Sequence, residues 1–454
     1  MKPSQPFSDL KAIYNAAIKR VDPYAMIQSR VTLDNNTLKI RLDNQEKSLA
    51  LEKFKTIYVL GAGKATAPMA KAIEEILGPK LSGGLISVKK GHTDTLNNIE
   101  IIEAGHPVPD ENSRSAAQQI IDIAAKADET TLFINLISGG GSALLACPGE
   151  YEGASITLSD KQKTTQALLA CGAEINEINR VRKQLSGIKG GKLARHMYPA
   201  TSINLILSDV VGDDLSAIAS GPTAPDFTTF AQTIGIVKKY GLSSILPPRV
   251  AKIFESDRMQ QTTNDTISDD LIFSKVDNIL LGNNLSALNA ARQQAGILGY
   301  NTLVLSSRIT GEAREIALVF YGMAQDIALG NLPPQPPVCV LAGGETTVTL
   351  KGNGKGGRNQ EMALSFLQAL EAAPAGIENI FFLSGATDGN DGPTDAAGAF
   401  ASQAVLEAGK KAALDINKYL GNNDSYTYFD QAGYLFRPGP TNTNVCDLQI
   451  LIVT

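Results

Sequence analysis

The chain has 454 residues, 43% of them hydrophobic and 19% charged, with 41 glycines, no tryptophan and a formal net charge of −5. That length exceeds what one hydrophobic core usually serves, so two α/β domains are expected. The acidic balance offers no broad basic field for a nucleic-acid backbone, and no run approaches the roughly 18 apolar residues of a membrane span.

Residues 6–21 (PFSDLKAIYNAAIKRV) read as an amphipathic helix, and VTLDNNTLKI reads as a hairpin turning at Asp34-Asn35-Asn36. A regular alternation follows. TIYVLGAG is a buried strand from Thr56 to Gly61, and Ala65 to Leu77 is a helix. GGLISV and IEIIEAG are strands, Ser113 to Lys126 is a helix, and TLFINLIS runs as a strand into Gly139-Gly140-Gly141. The stretch INEINRVRKQLSGIKGGKLARH reads as a strongly basic helix, and TSINLILS (Thr201 to Ser208) is an apolar strand ending at Asp209. Apolar strands alternating with helices imply a mostly parallel sheet covered on both faces, a Rossmann-like α/β/α sandwich.

Residues 255–270 are polar and poorly periodic, and they place a boundary between an N-terminal domain (1–262) and a smaller C-terminal α/β domain (263–454). Beyond it come NILLGNN with a helix from Leu285 to Ala295, then NTLVLSS with a helix from Gly311 to Leu329. VCVLAGGETTVTL is expected as two strands joined at Gly343-Gly344. A helix from near Asn359 and the strands IFFLSG and LQILIV complete the chain.

The cysteines Cys147, Cys171, Cys339 and Cys446 form no CxxC pair, so neither a zinc site nor a disulfide framework is indicated. The opening MKPSQPFSDLKAIY lacks the apolar core of a signal peptide, and a soluble cytoplasmic protein is expected.

Four segments break a strand with glycines or acids where open parallel sheets gather their ligands. The first, Gly61-Ala62-Gly63-Lys64-Ala65-Thr66, resembles the start of a dinucleotide fingerprint but has Thr66 for the third glycine. The next strand also ends in Lys89-Lys90 rather than an acid. What remains is a helix start with a lysine, a seat for an anion. The second, Ser138-Gly139-Gly140-Gly141-Ser142, has the backbone freedom of a phosphate cradle. The third carries Asp209, Asp213 and Asp214 just past a strand end, placed to bind Mg²⁺ or to accept a proton.

The fourth joins Glu345 to a glycine-rich run with Arg358 and Asn359, followed by a loop holding Asp388, Asp391 and Asp395. A guanidinium there can fork onto phosphate oxygens, and the acids suggest metal or hydroxyl binding. Lys183 and Lys192 on the basic stretch and Asn283 in NILLGNN join the candidates for ligand contact. His92, His106 and His196 stand isolated and read as loop or capping residues. Anion cradles, cations and carboxylates without an evident histidine acid–base system are the inventory of phosphoryl transfer. No GxxxxGK[ST] occurs, so a P-loop is excluded.

The motifs GAGKATAPMA, GHPVPDENS, SGGGSALL, NRVRKQLSGIKGGKLA, LSDVVGDD and ASGPTAPD, followed by GGETTVTLKGNGKGGRNQE, ATDGNDGPTDAAGA and GPTNTNV, run in order along nearly the whole chain. In them the chain resembles the class II glycerate kinases, whose C-terminal part is the MOFRL domain. The resemblance implies transfer of the terminal phosphoryl group of ATP to D-glycerate with Mg²⁺, giving 2-phosphoglycerate at a site between two domains. It further implies that Lys64 and Arg358 hold phosphate and the glycerate carboxylate. Asp209 would orient or deprotonate the accepting hydroxyl, and Asp388 would assist through metal or substrate. Members also carry the name hydroxypyruvate reductase, so an NAD(P)H-dependent reductase is the alternative. The subunit count stays open, with a homodimer as one assembly.

Overall fold

The computed structural model describes residues 5–43, 45–151, 154–255, 270–372 and 379–454. Two compact units are present. One is Pro23–Leu281, and the other joins the opening residues up to Asp22 with Gly282–Thr454.

The first unit is built on six strands: β1 (Thr56–Ala62), β2 (Gly83–Lys89), β3 (Ile99–Ala104), β4 (Thr131–Ile137), β5 (Thr201–Leu207) and β6 (Val276–Gly282). Their order in the sheet is β6-β5-β4-β1-β2-β3. The pairs β5–β4, β4–β1, β1–β2 and β2–β3 are all parallel. This is a doubly wound sheet whose strand order reverses between β1 and β4. Every residue of β4 is buried, as a central strand with helices on both faces requires. The expected hairpin is present beside this sheet, Val31–Asp34 pairing with Thr37–Arg41 across Asn35 and Asn36 in left-handed conformations.

The second unit carries a mixed sheet of β7 (Asn301–Ile309), β8 (Val338–Gly344), β9 (Ile380–Ala386), β10 (Gly398–Ser402), β11 (Leu435–Phe436) and β12 (Asp447–Val453). The order is β7-β8-β12-β9-β10-β11, and the β7–β8 pair is parallel whereas the others run antiparallel. The last strand of the chain therefore inserts at the centre, reversed against β8 and β9. Its first residue, Asp447, pairs with the last residues of both neighbours, Gly344 and Ala386. One sheet edge thus collects two carboxyl ends and one amino end.

Four expectations change. The boundary expected around 255–270 falls largely on residues 256–269, outside the described ones. Among the described residues β6 still lies beside β5, held by Ser202 N–H to Lys275 O (2.9 Å) and Thr223 Oγ1 to Asn278 Oδ1 (2.8 Å). The opening helix, Gln5–Arg20, belongs to the second unit. It buries Leu10, Ile13, Tyr14 and Ala17, a 3–4 spacing that lines one face. Tyr14 donates to Ala386 O at 2.7 Å, Tyr300 donates to Asp9 at 2.6 Å, and Phe7 meets Phe400 edge-on at 5.5 Å.

The ETTVTL segment forms no second strand. β8 stops at Gly344, whose φ of 147° few residues adopt, and the Thr349 amide turns to the Glu312 carboxylate (3.0 Å). The basic stretch is not one helix either. It splits into Ile175–Gln184 and Lys192–Met197, because Gly190 and Gly191 take left-handed conformations between them.

Tyr14→Phe removes one buried hydrogen bond without opening a cavity. It should lower the stability of the second unit by about 1–2 kcal/mol, read as a shift in its urea unfolding transition. No shift would show that the opening helix is not anchored this way.

Candidate active site

In a doubly wound sheet the ligand crevice lies beyond the strand ends where the order reverses, here past β1 and β4. The two loops there are laced together. Ser138 N–H bonds to Ala62 O (3.1 Å), Lys64 N–H to Gly139 O (2.9 Å) and Ala65 N–H to Ser138 Oγ (3.1 Å), while Gly63 N–H turns to Ser87 O on β2 (3.2 Å). A Cβ on Gly63 would stand 1.9 Å from Ser138 Oγ, so no larger residue allows this approach.

The lacing corrects one expectation. The amides of Gly63, Lys64 and Ala65, just ahead of the helix Thr66–Leu77, are committed inside the protein and are not open to an anion. The Lys64 side chain packs instead along Gly140.

Around the glycine turn the chemistry converges. A Cβ on Gly139 would meet the Asp209 carboxylate at 2.2 Å, and one on Gly140 would meet the His106 ring at 3.0 Å and the Lys64 stem at 3.3 Å. Asp209, Lys64 and His106 therefore pack on one bare stretch of backbone. His92 approaches from behind, with Nδ1 3.2 Å from Lys64 O. Burial raises the Asp209 carboxyl above its ordinary value, opposed by a backbone hydrogen bond and by the charge of Lys64. Burial, and then the positive charges of Lys64 and Lys89, push the His106 imidazole down to about 4. At neutral pH the cluster holds a neutral imidazole.

Ser142, at the far end of the turn, is gripped by cations. Its Oγ accepts from Arg182 (2.8 Å) and Lys189 (2.9 Å) and lies 2.8 Å from Ser220 Oγ. Lys183 instead forms a buried ion pair with Asp226 at 2.9 Å, so its charge is matched within the protein. Lys192 donates to the carbonyls of Lys183 (3.2 Å) and Ser186, satisfying the last turn of the helix before it. Asp213 sits in a left-handed turn residue beyond β5.

In the second unit the reversed strand supplies the organising acid. Fully buried Asp447 takes two bonds from Arg358, at Nε (2.6 Å) and Nη2 (2.9 Å), while Arg358 Nη1 lies 3.2 Å from Glu345. The side-on edge of the guanidinium is thus fixed, and Nη1 points to an acid that is half exposed. Asp391 caps the helix Arg358–Glu371, accepting from the amides of Asn359 (3.1 Å) and Gln360 (2.9 Å). Burial outweighs these bonds and lifts its carboxyl to about 7. Asn359 is fully buried, accepting from Ser384 Oγ at 2.6 Å. Asn283 caps the helix Asn284–Ile297 through Ser286 N–H at 2.9 Å. Asp388 stays part-exposed beyond β9 and accepts from Asn390 N–H at 3.0 Å.

The sequence model of the domain of unknown function DUF4147 matches residues 9–255, and that of the MOFRL family matches residues 338–447. A glycerate 2-kinase of Pyrococcus horikoshii is 40% identical, over 96% of this chain and 95% of its own length. The chain belongs to the glycerate kinase family. The crystal structure of glycerate kinase from Thermotoga maritima is 34% identical and superposes at a TM-score of 0.84, covering all of both chains. A protein of Agrobacterium vitis named as a putative hydroxypyruvate reductase is 40% identical over 87% of this chain and 98% of its own length.

Within this kinase family fold, sequence reasoning finds Lys64 and Asp209 in the first unit's cluster and Arg358 in the second unit's, but misses His106 and Asp447. His106 was signalled by GHPVPDENS, a motif with no catalytic spacing of its own. Asp447 was hidden as the first residue of an apolar strand. Asn283, Asn359, Asp391 and Lys183 are all engaged in holding helices or buried partners. Among the described residues no three His, Cys, Asp or Glu side chains group to enclose a metal ion. No described helix is long and apolar enough to cross a membrane.

The unfolded His106 takes up a proton near 6.5, whereas the folded one resists until about 4. Its contribution to stability is therefore complete above about pH 6.5 and is lost as the pH falls toward 4. His106→Gln should lose less stability than the parent between about pH 7 and pH 4.5, as measured by urea midpoints. Equal losses would place His106 outside the buried cluster.

Proposed function

We propose that the protein is a glycerate 2-kinase, moving the γ-phosphoryl group of ATP to the C2 hydroxyl of D-glycerate. The observation that carries this reading is the carboxyl of Asp209, raised by burial, lying against bare Gly139 in the field of Lys64. A base whose pKa is lifted toward working pH, beside a cation on a glycine turn, suits attack by a hydroxyl on a phosphorus. The names of the relatives support the same reaction.

The hydroxyl oxygen attacks the γ-phosphorus in line, and the bond from that phosphorus to the β-γ bridging oxygen breaks. ADP leaves, and the hydroxyl proton passes to the Asp209 carboxylate. Lys64 offsets negative charge gathering on the transferring group, as positioned cations do in phosphoryl transfer. Arg358, held side-on by Asp447, offers Nη1 to the glycerate carboxylate in exchange for Glu345. His106, neutral, adds no charge to compete with Lys64.

Magnesium fits the donor set, because it commonly takes one or two carboxylates and completes its shell with phosphates and water. Asp388, part-exposed past the end of β9, is a residue that would hold it. Bound there, it would neutralise charge on the β- and γ-phosphates.

The reductase alternative meets an obstacle. A dinucleotide pyrophosphate needs free amides at the start of the first helix, and here those of Gly63, Lys64 and Ala65 are committed.

Lys64→Ala and Arg358→Ala should each lower kcat/KM by on the order of 10²–10³ while circular dichroism stays unchanged. Near-normal turnover in both would refute the assignment. The acid limb of kcat/KM should fall through a pKa above the ordinary aspartate value. Asp209→Asn should lose about 10²–10⁴ in rate and abolish that limb. Phosphorus NMR of the product should report a C2 ester, and a C3 ester would overturn the regiochemistry.

A further inference from the structure

A cavity of about 290 Å³ opens in the first unit beside Ser142. Its lining includes three basic side chains, Lys161, Arg182 and Lys189, and the apolar Leu169, Ile175 and Val181. Much of it comes from two helices, Leu158–Ala170 and Ile175–Gln184, with Ser142 and Lys189 from outside them.

The cations are bonded but not neutralised. Lys161 donates to Cys147 O (2.9 Å), and Arg182 and Lys189 donate to Ser142 Oγ. Among the described residues none of the three has a carboxylate in ion-pair range. Lys189 is only 2% exposed. Burial, with the mutual repulsion of these neighbours, pushes Lys161 down to about 7 and Lys189 well below its ordinary value. Gathering unmatched cations in a low-dielectric space is costly unless an anion completes them. The apolar part of the lining has its own unmet demand, since Leu169 and Ile175 are 61% and 63% exposed.

We propose that this cavity is the nucleotide subsite, with the base of ATP against the apolar wall and its phosphates directed along Arg182, Lys189 and Ser142 toward Lys64. The inference rests on the kinase reading above and deepens it by assigning which part of the site takes which substrate. Three observations select the nucleotide over the acid. An apolar wall gives nothing to a three-carbon hydroxy acid, whereas a purine face buries well against aliphatic side chains. The volume lies near the lower end of small-molecule pockets, about 300 Å³, enough for a base and the start of its phosphate chain. Ser142 belongs both to the cavity lining and to the turn whose Gly140 packs against the Lys64 stem, which ties the cavity to the reacting group.

Two variants test this in the full-length protein, Arg182→Gln among the basic side chains and Leu169→Asp in the apolar part of the lining. The readouts are KM for ATP, KM for glycerate, and calorimetric binding of ADP and of inorganic tripolyphosphate. Arg182→Gln should weaken ADP and tripolyphosphate about tenfold or more and raise KM for ATP in parallel. Leu169→Asp should weaken ADP about fivefold to tenfold while leaving tripolyphosphate unchanged. KM for glycerate should stay within about twofold in both. A raised KM for glycerate with unchanged nucleotide affinity would overturn the assignment in favour of the acid. Unchanged values for every ligand would show the cavity to be structural. If the parent protein phosphorylates glycerate, either result sinks the subsite alone; a parent that neither binds ADP nor turns over glycerate sinks the kinase reading itself.

Discussion

The close approach of two backbones past β1 and β4 governs the first unit. Gly63 lies where a single methyl group would collide with Ser138, and three hydrogen bonds tie the two loops. Backbone can come this near to backbone only where side chains are absent. The lacing fixes Gly139 and Gly140 as a rigid bare surface, and Asp209, His106 and Lys64 pack on it from three separate segments. Without that surface the cation and the carboxylate would have no common reference. Placement of this kind, more than any special reactivity, is what phosphoryl transfer asks of a protein.

The same lacing redirects the electrostatics. A helix start beyond a parallel strand is ordinarily an anion site, and GAGKAT has its outward form. Here its amides serve the neighbouring loop, so positive charge arrives through side chains. Lys64 is the nearest of these, and Arg182 and Lys189 are both bonded to Ser142 at the far end of the glycine turn. Side-chain cations can follow charge as it shifts onto a leaving phosphate, which fixed amides cannot.

The second unit solves a related problem with a reversed strand. Asp447 begins β12 beside the ends of β8 and β9, so a buried acid meets Arg358 at the edge where Glu345 and Asp388 emerge. A fully buried carboxylate is stable there because a guanidinium grips both oxygens. In return the guanidinium loses its freedom to wander. Asp391 does parallel work on the helix that carries Arg358, fixing its first turn from a distant loop.

Sequence alone determined the local grammar: the apolar strands, the glycine turns after them, the hairpin at Asn35 and Asn36, and the positions of Lys64, Asp209 and Arg358. These follow from residue period and backbone permissiveness, which act over a few neighbours. Tertiary structure decided the rest. Whether β12 runs with or against its neighbours, and where the opening helix packs, depend on contacts hundreds of residues apart, such as Tyr14 with Ala386. The engagement of Asn283, Asn359, Asp391 and Lys183 inside the protein was equally invisible, because a polar residue in a loop looks the same whether it faces a ligand or a helix end. Charge and hydrogen-bonding capacity are written in the residue type; what satisfies them is settled only when the chain closes on itself.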